Sequence, residues 1–237
     1  MERIWVIIPA GGRGQRFGGT QAKQYVLLRG QPVLAYTLNI FLHEKRISGV
    51  QLVLPGEDLE TGVWQELLGE DLELPLAPVR GGKQRADSVR LGLEALRKAG
   101  AADTDWVLVH DAARPCLRAE DLGNLLDSLR ESPQGALLGI PVADTLKREK
   151  DGLSLGTVDR EGLWRALTPQ AFPLAALLAA LQSAQGAAMP ITDEASAMEL
   201  QGWRPRLIQG HGDNIKITLG DDLALAAAIL AARDEEK

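Results

Sequence analysis

The stretch Ile4-Trp5-Val6-Ile7-Ile8-Pro9-Ala10-Gly11-Gly12-Arg13-Gly14-Gln15-Arg16-Phe17-Gly18 constrains the fold more than any other part of the chain. Its first five residues are apolar and mostly β-branched, which predicts a short strand buried on both faces, as in a parallel sheet. Pro9 bounds that strand. The glycines beyond it let backbone N–H groups approach an anion with no Cβ in the way. Arg13, Arg16 and Lys23 add three positive charges within eleven residues. Glycine for close approach and cations for charge are what a polyphosphate requires. An ordinary strand-to-helix turn with solvated basic residues is the alternative reading.

Two common phosphate loops are excluded by residue identity. A P-loop needs Gly-Lys-Ser/Thr, whereas Lys23 lies between Ala22 and Gln24. A dinucleotide fingerprint starting at Gly12 needs glycine at position 17, which is Phe17, and the next strand lies too far on to supply the acidic residue. A glycine loop that wraps a nucleoside triphosphate and uses lysine as a point charge remains.

The rest of the chain alternates strand-like and helix-like segments. Val50–Leu54, Trp106–Val109, 135–141 and 206–208 read as strands, with shorter candidates at 25–28 and 76–79. Helical spacing marks 33–43, 59–68, about 85–99, 121–130, 173–184, 195–200 and the C-terminal segment, with Thr192 as a candidate cap of 195–200. A second glycine turn, Gly81-Gly82, opens the helix that carries Ser88. His110-Asp111 sits at the carboxyl end of a strand, where open α/β sheets bind ligands. Asp111 suits Mg²⁺ there or caps a helix, and His110 reads as structural. Val142 to Trp164 breaks the alternation around an Asp151-Gly152 turn and predicts a projecting β-hairpin arm. Its edges need cover, and a partner subunit is one way to supply it. The pattern predicts an α/β fold: a Rossmann-like, doubly wound, mostly parallel sheet with one projecting β-arm.

With 237 residues, 45% hydrophobic and 24% charged, the chain has ample core for one large domain. Its net charge of −6 argues against a general nucleic-acid binder, so any anion site is a local basic pocket. Cys116 is the single cysteine, which rules out an intrachain disulfide framework and fits a reducing compartment. With no signal-peptide pattern and no apolar run of membrane-spanning length, the expected location is the cytoplasm.

Taken in order, these segments resemble the 2-C-methyl-D-erythritol 4-phosphate cytidylyltransferase family of the non-mevalonate isoprenoid pathway. The resemblance is carried by Pro9 to Phe17 with Lys23-Gln24-Tyr25, and by Gly81-Gly82 with Arg85-Ala86-Asp87-Ser88. It continues through His110 to Pro115, Asp144-Thr145, Thr157 to Arg160, Thr168-Pro169-Gln170, Thr192-Asp193-Glu194 and Asp213 to Lys216. The block from His110 to Pro115 with Asn214-Ile215-Lys216 is the most specific part. The resemblance implies a single domain over 1–237 of the nucleotide-diphospho-sugar transferase type, with the arm at about 142–165 making a homodimer. It implies that CTP and methylerythritol phosphate react to give a CDP-linked product and pyrophosphate.

Carried over residue by residue, the resemblance assigns Pro9, Ala10, Gly11, Gly12, Gly14, Arg16 and Lys23 to CTP in the first loop. Gly82 and Ser88 go to the base, Ala112 to CTP, and Asp111 lies by the ribose as ligand of Mg²⁺ or another divalent cation. Arg16, Lys23 and Lys216 are the catalytic cations. Arg114, Thr145, Arg160, Thr168 and Lys216 bind the sugar phosphate, the arm completing the partner subunit's site. Three positions depart from the family pattern: Gly11 where alanine is common, Ala22 where proline often precedes the lysine, and Lys83 where an acidic residue is expected near the base. Two rivals share the shape, a ribitol-phosphate cytidylyltransferase and a sugar-1-phosphate uridylyltransferase. A nicotinamide-dependent oxidoreductase and a non-catalytic nucleotide sensor are the rivals of other classes.

Overall fold

A computed structural model describes residues 2–12, 22–68, 76–187 and 189–235. The first half runs β1 (Ile4–Pro9), a 3₁₀ turn (Lys23–Tyr25), β2 (Leu27–Leu28), β3 (Gln31–Pro32), α1 (Val33–Leu42) and β4 (Ile47–Leu54). It continues with α2 (Gly56–Thr61), α3 (Val63–Leu68), β5 (Val79–Arg80), α4 (Arg85–Lys98) and β6 (Trp106–Val109). The second half runs α5 (Ala119–Ser128), β7 (Ala136–Pro141), β8 (Leu146–Lys150), β9 (Leu153–Val158) and β10 (Trp164–Pro173). It closes with α6 (Leu174–Gly186), α7 (Glu194–Glu199), β11 (Arg206–Gln209) and α8 (Asp221–Glu235).

Seven strands form one sheet in the order β11-β7-β10-β6-β1-β4-β5. β10 runs antiparallel to both its neighbours, and the other pairings are parallel. The strand alternation shows why helices cover both faces. Along β1, Val6 and Ile8 pack with Leu34, Leu38 and Leu122 from α1 and α5. Trp5 and Ile7 pack with Val89, Leu93 and Leu177 from α4 and α6. β6 divides in the same way, with Leu108 on the first side and Val107 and Val109 on the second. Both faces of a central strand are therefore core, which is what a near-continuous apolar run demands. Each such fully buried aliphatic side chain contributes about 1.5–3 kcal/mol. Asp105 anchors the opposite end of β1, accepting from the Arg3 amide at 3.0 Å and the Trp5 indole at 2.9 Å.

The parallel direction gathers four strand ends at one edge: Pro9-Ala10 after β1, Leu54 of β4, Gly81 after β5 and His110-Asp111 after β6. They are stitched together by Ala10 N to Val53 O, Gly81 N to Leu54 O and His110 N to Ile7 O, all at 2.7–3.0 Å. This is the carboxyl edge expected to hold the ligand.

Several elements differ from the sequence expectation. The helix expected over 59–68 is two short helices, because Gly62 between them has φ of +69°. The sequence predicts no strand over 165–173, yet Trp164–Pro173 form the long antiparallel β10. Pro169 weighs against a central strand, but it falls in a bulge. Between Ala166/Gly139 and Gln170/Leu137, β10 advances four residues while β7 advances two, so Pro169 owes the ladder no N–H. The cap of α7 is Asp193, whose side chain accepts from Ser196 N at 2.9 Å, rather than Thr192 one residue earlier. The arm expected over 142–164 contains β8 and β9, which among the described residues pair only with each other around Asp151-Gly152.

Candidate active site

The cavity at the strand-end edge is lined by residues from five separate segments. Pro9, Ala10, Gly11 and Gly12 form one wall, and Gly82 and Ser88 form another. Asp111, Ala112 and Ala113 make the floor, while Lys23 and Lys216 reach in from the two ends of the chain. Gln24, Lys83, Gln84 and Arg85 complete the lining. Gly14 and Arg16, assigned to the triphosphate, lie outside the described residues, as do Arg13, Phe17 and Gly18.

The walls are shaped by what glycine permits. A Cβ on Gly82 would stand 2.2 Å from the Asp87 Cβ, and one on Gly81 would stand 2.8 Å from the Ser88 hydroxyl. The Gly82 amide can therefore donate to Ser88 Oγ at 3.1 Å, while Asp87 Oδ2 accepts from the Gln84 amide at 3.1 Å to start α4. Ser88 is buried, so it holds the glycine turn closed from behind. On the other wall, Gln24 is buried and donates to Ala10 O at 2.8 Å. That bond joins the first loop to the turn carrying Lys23, whose Nζ donates to Ile217 O at 3.1 Å.

Asp111 is the electrostatic centre. Arg85 Nε lies 2.8 Å from its Oδ1, Lys216 Nζ 2.8 Å from its Oδ2, and Arg114 Nε 3.6 Å from the same oxygen. Burial by itself works against the charged carboxylate, but the charges of Arg85, Lys216 and Arg114 outweigh it and hold Asp111 well below the usual carboxylate range. Arg85 is gripped in turn. Its fork meets Glu194 at 2.6 and 3.0 Å, and the Glu194 side chain is 1% exposed. Burial pushes the Glu194 carboxyl upward, with Arg85 opposing. Lys23, Arg85, Arg114 and Lys216 thus stand against the two carboxylates Asp111 and Glu194. A surplus of cations around a glycine-walled cleft suits a polyphosphate, although the whole chain is acidic.

A buried layer supports the floor. Thr168 Oγ1 accepts from the Asp111 amide at 3.2 Å and lies 3.0 Å from His110 Nδ1. His110 Nε2 lies 3.1 Å from Arg114 O. Burial pushes the His110 pKa down to about 4, so the ring is neutral at pH 7 and orients backbone. Arg114 donates from one terminal nitrogen to Asn214 O at 2.7 Å, and Asn214 Nδ2 donates to Thr168 O at 2.9 Å.

Of the residues expected to meet the sugar phosphate, Lys216 lines the cavity, and Arg114 and Thr168 stand directly behind Asp111. Thr145 and Arg160 are on the exposed arm, outside the cavity lining, and Arg160 donates to Ala143 O. Arg85 and Glu194 stand within the segments that match the family, but the sequence assigns neither of them a role. The local signal for Glu194 is its place in the first turn of a short helix, where an acid usually serves the helix dipole. Its burial against Arg85 is a tertiary fact.

A doubly wound sheet with a cationic, glycine-walled cleft at its strand ends is the layout of a nucleotidyltransferase. A family model described as 2-C-methyl-D-erythritol 4-phosphate cytidylyltransferase matches residues 4–232. The chain belongs to that family, and its activity is the family's cytidylyl transfer. It is 74% identical over 236 residues to the protein of that name from Acidithiobacillus ferrooxidans, covering 100% of both. Against the one from Ectopseudomonas mendocina it is 45% identical over 237 residues, covering 99% of each. A crystal structure of 4-diphosphocytidyl-2C-methyl-D-erythritol synthase superposes with a TM-score of 0.81 at 38% identity, covering 97% of this chain and 100% of that one. The Francisella tularensis cytidylyltransferase superposes with a TM-score of 0.82 at 30% identity, covering 96% and 100%.

Proposed function

We propose that the cleft holds CTP and that one transfer follows: CMP passes to the phosphate of 2-C-methyl-D-erythritol 4-phosphate. The products are 4-diphosphocytidyl-2-C-methyl-D-erythritol and pyrophosphate, in isoprenoid precursor synthesis. The observation that carries the residue assignment is the meeting of Lys23 and Lys216 with Asp111 in one cavity.

The acceptor phosphate is already dianionic near neutral pH, since its second pKa is about 6. No side chain has to create the nucleophile. A phosphate oxygen attacks the α-phosphorus in line, the bond to the β-phosphate oxygen breaks, and pyrophosphate leaves with that electron pair. The obstacle is repulsion between two polyanions, so the protein's task is alignment and charge. Lys23 and Arg16 hold the triphosphate, and Lys216 moves from Asp111 to the phosphate oxygens of the attacking side. Gly82 and Ser88 frame the base.

A single ionised carboxylate fits Mg²⁺ that draws most of its oxygens from phosphates and water. Among the described residues no group of three or more acidic, His or Cys side chains would cage a metal without them. Asp111 would hold the ion, which when bound adds Lewis-acid charge at phosphate oxygens.

The whole chain acts as one catalytic domain, and the arm completes the partner subunit's acceptor site in a homodimer. Support comes from the two-stranded arm itself, with Leu153 and Leu155 exposed at 70% and 60%. Thr145 and Arg160 then reach the sugar phosphate across the interface. The free, buried Cys116 fits a reducing cytoplasm. Among the described residues no helix is long and apolar enough to cross a membrane.

Pyrophosphate release with CTP, UTP, ATP and GTP, each with and without the sugar phosphate, tests the reading. Release is expected only with CTP plus 2-C-methyl-D-erythritol 4-phosphate. Equal release with UTP, or with ribitol 5-phosphate as acceptor, would overturn the assignment.

A further inference from the structure

Lys216 sits in a segment between β11 and α8 that has no regular secondary structure, yet its neighbours are fixed. Asn214 and Ile217 are fully buried on either side of it. Ile217 N donates to Ala113 O at 2.9 Å, and Asp222 caps the far end by accepting from Thr218 N and Leu219 N at 2.7 and 2.8 Å. The near end is held differently. Asp213 takes a two-nitrogen grip from Arg118, at 2.6 and 3.0 Å on Oδ2, and a second cation, Arg233 of α8, at 2.9 Å on the same oxygen. The same Arg233 nitrogen also donates to Cys116 O at 2.8 Å. Arg118 stands at the head of α5 and Arg233 in the last turns of α8.

Two cations share one carboxylate, and the Arg233 Nε is buried with no hydrogen-bond partner. Asp213 is only part-buried, with 21% of its side chain exposed, and two guanidinium groups, one at the head of α5 and one at the end of α8, fix it from two directions. We infer that Asp213, clasped between Arg118 and Arg233, is a positioning residue that sets where Lys216 meets the reacting phosphates. The C-terminal helix thereby belongs to the catalytic apparatus without touching substrate. The inference rests on the role proposed for Lys216.

A double-mutant cycle on the full-length enzyme tests it, with Lys216→Ala, Asp213→Asn and both together. Pyrophosphate release at saturating CTP and sugar phosphate gives kcat, and calorimetry gives the CTP dissociation constant. Asp213→Asn is expected to lower kcat by roughly ten- to a hundredfold, the scale of a small misplacement of a reacting group, with CTP affinity unchanged. The double variant is expected to be no slower than Lys216→Ala, because the two residues act as a unit. Effects that multiply would overturn the inference, as would a normal kcat for Asp213→Asn beside a crippled Lys216→Ala. A normal kcat for Lys216→Ala would instead remove the lysine's own role, and the positioning with it. If Asp213→Asn does not fold, Arg118→Lys keeps the cation but loses the two-nitrogen grip, and the same cycle applies.

Discussion

In the cleft the central charges are paired: Asp111 meets Arg85 and Lys216, and Arg85 meets Glu194. In the arm, β8 and β9 pair only with each other, and most of their residues are exposed on both faces. One region is a closed set of opposed charges, packed on a sheet whose two sides are core. The other is a ribbon with open edges and leucines facing outward. A two-stranded ribbon alone is marginal in water, so the arm has the character of a part that is finished by something else. On the proposed function, the difference teaches that the nucleotide half of the site would be assembled within one chain, whereas the acceptor half would be presented outward to a partner.

Glu194→Gln should break that contrast most forcefully. It leaves the Arg85 fork facing a neutral amide in a buried place, at an expected cost of about 3–5 kcal/mol in urea unfolding. The matching change on the arm, Glu149→Gln, should stay within about 0.5 kcal/mol. Equal effects would mean that the two regions are not built differently. Acid comes next. Between pH 6.5 and 4 the unfolded chain takes up a proton at position 110 that the folded chain refuses, so stability falls as the pH falls through that window. The full loss is about 3 kcal/mol, read as a falling urea midpoint. A His110 resonance titrating near pH 6.5 in the folded protein would contradict it. The smallest effect sharpens the arm's side of the comparison. Arg160→Ala should raise the KM for the sugar phosphate on the order of tenfold, leaving the KM for CTP and the unfolding midpoint unchanged. A rise for CTP instead would put the arm at the wrong ligand.

Much of the cleft was legible from residue order. The glycine runs, Asp111 at a strand end and the two distant lysines have local signatures, because close approach and charge depend on residue type. Lys23, Gly82, Ser88, Asp111 and Lys216 do line one cavity. What escaped was the second rank. Glu194 looks like any acid at the start of a helix, and nothing local says that it meets Arg85 across the fold. β10 escaped because Pro169 lies within it, and the bulge that accommodates Pro169 is a property of the pairing. Thr168 was expected to meet substrate, and its hydroxyl is found engaged with the Asp111 amide and His110.

The bulge in β10 also divides the chain by its tolerance of changes in length. A residue added at the Asp151-Gly152 tip lengthens a solvated turn and leaves everything beyond it in place. The same residue added between Trp164 and Thr168 slides the strand by one position, and successive side chains on a strand face opposite ways. Leu167 would then stand where the threonine hydroxyl supports the aspartate. Natural and engineered length variants of this chain should therefore cluster at the hairpin's end and stop short of its root.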